Sequence, residues 1–146
     1  MARADYPGAA LAFDFGLRRI GVASGHSLTG AAAPLTTVNN GSKGPDWQAI
    51  EALVGDYNPA VLVVGNPYTA DGSPGAMSAA ATRFATELAT RLRLPVERVD
   101  ERWSSREASA ALQERRAAGT WRRRVQRADI DSVAAAVILE RWLRGE

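Results

Sequence analysis

Apolar positions alternate with small or polar ones across residues 10–23. Leu11, Phe13 and Phe15 are interleaved with Ala12 and Asp14, and Ile20, Val22 and Ser24 with Gly21 and Ala23. A period of two marks β-strands, and Gly16 followed by Leu17, Arg18 and Arg19 supplies a short turn, so a hairpin is predicted. Residues 33–38 read as a third strand. Asp46 can cap a helix running to about Tyr57, in which Trp47, Ile50, Leu53 and Val54 recur at three- and four-residue steps. Asn58-Pro59 ends it. Residues 60–65 are unbroken apolar sequence, as expected of a strand covered on both faces. A loop rich in turn formers follows over 66–75. A helix is then predicted over 76–92 and a short strand over 95–99.

Beyond that strand, Ser104-Ser105-Arg106-Glu107 has capping-box spacing for a helix to about Ala117. Residues 119–127 form a basic connector. The last helix is predicted over 129–144, with an N-cap at Asp129 and with Ile130, Val133, Ala134, Val137 and Ile138 as its core-facing stripe. The order is three strands, helix, strand, helix, strand and two helices. An antiparallel meander feeding βαβ units predicts an α/β fold with a mixed five-stranded sheet flanked by helices, in one domain over 1–146.

Asp14 does not fit a simple strand. It stands between Phe13 and Phe15 in a segment that is apolar on both faces, where an unpaired charge is costly to bury. Either something pairs with it, or it sits at the strand end and binds a cation. Two other acids could meet it. Glu101 lies just past the C-terminal end of the last predicted strand, and ligand sites gather outside such ends in open sheets. Asp131 falls in the first turn of the last helix, aligned with Ala135, Ile138 and Trp142. Three hard oxygen donors on different elements suit Mg²⁺ or Mn²⁺. On the residues alone an ion-pair network remains an equal reading. Asp100 and Asp129 are the neighbours that a small register error would exchange for the named acids.

Composition narrows the chemistry. With no cysteine, disulfides, thiolate nucleophiles and zinc–thiolate sites are excluded. No apolar run approaches a membrane span, so a cytoplasmic protein is expected. The net charge of +2 hides a basic block, because residues 98–127 hold nine arginines against four acids. Such a block suits a polyanion. Arg18, Arg19 and Arg102, with Arg122, Arg123 and Arg124 of the connector, are the candidates for phosphate contact. The bland reading of each is a solvated surface arginine. Trp103 and Trp121 could stack on bases or pack in the core. His26, the single histidine, falls in a loop and is given no role.

Five motifs then occur in order: Phe13-Asp14-Phe15-Gly16 with Arg19-Ile20-Gly21-Val22-Ala23, Val64-Gly65-Asn66-Pro67, Asp71-Gly72, Asp100-Glu101-Arg102, and Asp131-Ser132-Val133-Ala134-Ala135. In order and spacing they resemble the YqgF/RuvX family, from Leu11 to Trp142. The resemblance implies an RNase H-like fold related to the RuvC Holliday-junction resolvases. It implies an acidic site at Asp14, Glu101 and Asp131, holding two Mg²⁺ or Mn²⁺ ions. It further implies a metal-dependent endonuclease maturing the 5′ end of precursor 16S ribosomal RNA, in contact with ribosomal particles and no membrane. Asn66, Tyr68, Trp103 and the 121–124 segment depart from the family's usual residues and bear on substrate contacts.

Three rivals accompany that expectation. One is a resolvase acting on branched DNA, and one is a non-catalytic RNA-binding module on the same fold. The third is an actin-like phosphotransferase lobe, for which Asp-Phe-Gly is a weak signal and the chain too short to enclose a nucleotide between two lobes.

Overall fold

A computed structural model describes residues 6–66, 76–100 and 127–145. Its sheet is built from β1 (Ala9–Phe15), β2 (Arg19–His26), β3 (Ala31–Gly41), β4 (Gly44–Pro45), β5 (Val61–Asn66) and β6 (Val96–Asp100). Its helices are α1 (Trp47–Tyr57), α2 (Ala76–Leu92) and α3 (Arg127–Leu143). The strand order is β4-β3-β2-β1-β5-β6. β1 to β4 pair antiparallel in succession, whereas β5 pairs parallel with both β1 and β6. The mixed sheet expected from the element order is present, with one correction. Among the described residues there are six strands rather than five, because Ser42-Lys43 turns the chain back so that Gly44-Pro45 pairs with Asn40-Gly41. Two residues flanked by turn formers carry no alternation that could have announced a strand. The helix predicted over 104–117 lies outside the described residues.

Helix ends follow the predicted chemistry. The Asp46 carboxylate accepts the Ala49 N–H at 3.2 Å, and Asn58 closes α1 in the left-handed region (φ 46°), donating its N–H to the Val54 carbonyl. α3 is the exception. It begins at Arg127, so Asp129 is an interior helical residue and not a cap, and Asp131 is the fifth residue rather than a member of the first turn.

The alternation of β1 sorts its side chains between two cores. Leu11 and Phe13, with Ile20, Val22, Leu62 and Val64, face α1 and α2. Ala10 and Ala12, with Ala23, Val61, Val63 and Val99, face α3. Phe84 of α2 lies at the centre of the first core, with its ring 5.1 Å from Phe15, 5.6 Å from Trp47 and 5.9 Å from Phe13. Asp14 has the parity of Ala10 and Ala12. It therefore faces α3, and the flanking phenylalanines are not its surroundings but the opposite layer of the protein.

α3 lies chiefly across β2 and β3. Its buried face is wider than the predicted stripe. Residues 132–136, Ile138, Leu139, Trp142 and Leu143 are buried, whereas Ile130 and Val137 are only half-buried. The cause is close approach. A Cβ on Gly21 would stand 2.0 Å from the Asp131 carbonyl oxygen, and one on Gly25 would stand 2.9 Å from a Leu139 methyl and 3.0 Å from a Leu143 methyl. Both glycines are on the α3 face of β2. Four strand residues rise roughly 13 Å and the eight helical residues from 131 to 139 about 12 Å, so two glycines at this spacing seat two points along one helix.

Gly21→Ala puts a methyl group against helix backbone that has no side-chain freedom with which to yield. The expected cost is about 1–3 kcal/mol in denaturant unfolding, the usual range for overpacking. Gly55, inside α1 with open space around its Cα, is the counterpart. Gly55→Ala should raise stability by roughly 0.5–1 kcal/mol through helix propensity alone.

Candidate active site

The site is assembled at the end of the sheet where β1 finishes and β2 begins. Asp14, the penultimate residue of β1, is the register partner of Gly21, so the two occupy adjacent strands on the same face. Paired antiparallel residues stand about 4.5–5.5 Å apart between Cα atoms. Gly21 in turn lies under the backbone of Asp131 and Ser132. One glycine therefore carries the second acid to a position beside the first. Asp131 heads the line Ala135, Ile138 and Trp142, all buried against the sheet, which brings it to the margin of the core with its own side chain 27% exposed.

Arg19 completes the arrangement. It has the parity of Gly21 and rises on the same face, and its Nε donates to Oδ2 of Asp131 at 2.8 Å. Contact through Nε is side-on. Among the described residues, neither terminal nitrogen of Arg19 and not Oδ1 of Asp131 has a further partner. The pair is about a third exposed. Arg18, one residue earlier, is exposed in the turn. Asn40 pins that turn, donating its N–H to the Arg18 carbonyl at 2.9 Å and its side-chain amide to the Gly16 carbonyl at 2.7 Å.

The site residues named from the sequence divide accordingly. Asp14 and Asp131 are brought to one face and one end, and Arg18 and Arg19 lie beside them. Glu101, Arg102, Arg122, Arg123 and Arg124 lie outside the described residues. Among the described residues no three acids, histidines or cysteines converge. On β6 the odd-numbered positions Glu97 and Val99 share the α3 side, since Glu97 accepts the Tyr6 hydroxyl at 3.1 Å and Val99 is in the α3 core. Sequence reasoning assigned Arg19 to phosphate only and gave Gly21 no part. The strand parity that joins residues 14, 19 and 21 was available in the sequence, but the helix that uses them was not.

A separate groove of about 330 Å³ lies on the phenylalanine side, between Phe15, Leu17, the β3–β4 turn and Arg83 and Phe84 of α2. It contains neither carboxylate. No helix among the described residues is long and apolar enough to cross a membrane.

The profile of the family described as "RuvX: Holliday junction resolvase" matches residues 8–145. The chain belongs to the RuvX family. A relative from Legionella pneumophila named "Putative pre-16S rRNA nuclease" is 44% identical over 137 residues, which covers 94% of this chain and 96% of that protein. A relative of the same name from Xanthomonas campestris is 46% identical over 133 residues, 91% of this chain and 85% of its own length. Among solved structures, Thermus thermophilus RuvC in complex with a Holliday junction substrate superposes with a TM-score of 0.55 at 16% identity, covering 94% of each chain. The yeast mitochondrial Holliday junction resolvase Ydc2 gives 0.53 at 13% identity, covering 95% of this chain and 79% of that one. These likenesses show that this RuvX chain has the RNase H-like fold of the RuvC resolvases, the fold implied by the motifs.

In this RuvX chain the Arg19–Asp131 pair is partly exposed, so its contribution to fold stability is small. Exposed pairs of this kind are worth about 0–1 kcal/mol and are screened by salt. An Arg19→Ala and Asp131→Asn double-mutant cycle in urea should return a coupling below about 1 kcal/mol that shrinks further at high salt.

Proposed function

We propose that this chain is a metal-dependent endonuclease, one nuclease domain over 1–146, that hydrolyses phosphodiester bonds in the 5′-end maturation of precursor 16S ribosomal RNA in the cytoplasm. The observation that carries the reading is the placement of Asp14 and Asp131 on either side of the Gly21 contact, on one face at one end of the sheet. Relatives that match nearly the whole chain and bear the name pre-16S rRNA nuclease support RNA as the substrate.

Two carboxylates held by a strand and by a helix seated on that strand fit a hard divalent cation, which takes oxygen donors and keeps several waters. Asp14 and Asp131, with Glu101 as third donor, would hold Mg²⁺ or Mn²⁺. Such ions, bound as a pair, would supply an activated water, charge neutralisation at the phosphate and a stabilised leaving oxygen. The chain's own residues do the positioning. Asp14 is fixed by ladder pairing with β2, and Asp131 by the seating of α3 and by Arg19. Arg18, exposed at the turn, reaches solvent where a phosphate backbone would pass. Arg102, Arg122, Arg123 and Arg124, outside the described residues, are the further candidates for phosphate contact, and ribosomal particles are the setting in which such RNA is met.

A second reading, cleavage of branched DNA, is favoured by the family's description and by the fold shared with a junction-bound resolvase. Precursor ribosomal RNA and a four-way DNA junction, assayed side by side with Mg²⁺ and Mn²⁺, separate the two. Cleavage of neither leaves the RNA-binding module.

Asp14→Asn keeps the side-chain shape and removes the charge. It should abolish cleavage while leaving the protein folded. Mn²⁺ at about 100 times its Kd should stabilise the wild type by about 2.7 kcal/mol, roughly 5–10 °C in Tm for a domain of this size, and the variant by much less. A wild type whose Tm ignores both metals, with a variant that melts several degrees lower, would identify Asp14 as a structural acid and end the nuclease reading.

A further inference from the structure

The Arg19–Asp131 contact uses half of each group. Nε of Arg19 takes Oδ2 of Asp131 at 2.8 Å, leaving both terminal guanidinium nitrogens and Oδ1 of the carboxylate without partners among the described residues. An arginine engaged only to hold a carboxylate in place has a stronger option, the bidentate fork in which two nitrogens meet two oxygens. The single-nitrogen form gives that up, yet both groups remain about a third exposed to solvent. Their backbones do not drift either. Arg19 is the first residue of β2, with its register fixed against Asn39, and Asp131 is fixed by its backbone contact over Gly21.

We propose that Arg19 is a positioning residue with two simultaneous engagements, resting on the metal-dependent reading above. Its Nε holds Oδ2 so that Oδ1 of Asp131 is presented to the cation. Its terminal nitrogens take a non-bridging oxygen of the nucleic-acid phosphate beside that cation. Cation site and phosphate are thereby set at a distance fixed by one planar group. A lysine cannot do both, because its single ammonium has no fork and must choose between carboxylate and phosphate.

Coulomb's law makes the test decisive. Removing a positive charge beside a cation site should by itself tighten cation binding, so weakening reports lost orientation of the ligand. Mn²⁺ alone, titrated by electron paramagnetic resonance, should bind Arg19→Ala about 10–100-fold more weakly than the wild type, the usual effect of removing a group that orients a metal ligand. Binding of a short single-stranded oligoribonucleotide in EDTA should lose about 0.7 in its log–log salt slope, the value of one phosphate contact. Arg19→Lys should recover one of the two quantities and not both. Circular dichroism and a thermal melt confirm that each variant is folded, and should Arg19→Ala fail to fold, Arg19→Lys carries the test alone. Unchanged or tighter Mn²⁺ binding, an unchanged salt slope, or recovery of both quantities by lysine overturns the proposal. A wild type that binds no Mn²⁺ overturns the metal-dependent reading and this one with it, whereas a wild type that binds Mn²⁺ as tightly as Arg19→Ala overturns only the role of Arg19.

Discussion

The rest of the site depends on how closely α3 can lie on β2. At Gly21 the backbone of the helix occupies the volume that any side chain on the strand would need. Because residues 14 and 21 are register partners, the same contact that seats the helix also sets the distance between an acid on the sheet and an acid on the helix. Packing and site geometry are thus one constraint. Four residues along the strand, Gly25 makes a second close approach, to the side chains of Leu139 and Leu143, so the helix is held at two points and its azimuth is set as well as its height. Interiors packed to crystal-like density transmit such placements with little slack.

That arrangement also explains how the protein keeps acids at the edge of an apolar layer. Asp14 and Asp131 lie at the end of the α3 core rather than within it, next to the water that a charged group requires. The core behind them is mostly alanines, valines and leucines, with Ile138 and Trp142 toward the far end of the helix, and its small side chains near the acids let the helix settle. On the other side of the sheet the design differs. There the Phe84 cluster and the stacked Trp47 fill a thicker layer between sheet and helices, and Arg91 covers Trp47 with its guanidinium 4.5 Å from the ring centroid. One face is built for bulk, the other for close approach.

The fold places the site as open sheets generally do, at the end where β1 and the parallel strands β5 and β6 finish. Family membership and the RuvC-like superposition agree on the fold. They come from different properties of the chain, whole-length sequence likeness in one case and backbone path at low identity in the other.

Much of this was legible in the amino-acid order. The period-two runs and the unbroken apolar stretch at 60–65 are consequences of which faces are covered, so they name the strands and the mixed sheet directly. Asp46 and Asn58 announce the ends of α1 because capping is local chemistry. Asp14 stood out as a charge without local cause, and the search it prompted reached Asp131, whose backbone lies over Gly21, the register partner of Asp14. What sequence could not show was every feature that depends on two distant segments touching. The phenylalanines beside Asp14 looked like its neighbours, but strand geometry sends adjacent side chains to opposite layers. The two-residue strand β4 exists only because β3 offers it an edge. The start of α3 at Arg127 and the width of its buried face follow from how deeply it sinks onto β2. Arg19 looked like a surface cation from its own segment. Only the tertiary structure, by laying a helix 112 residues away across its strand, made it the partner of Asp131.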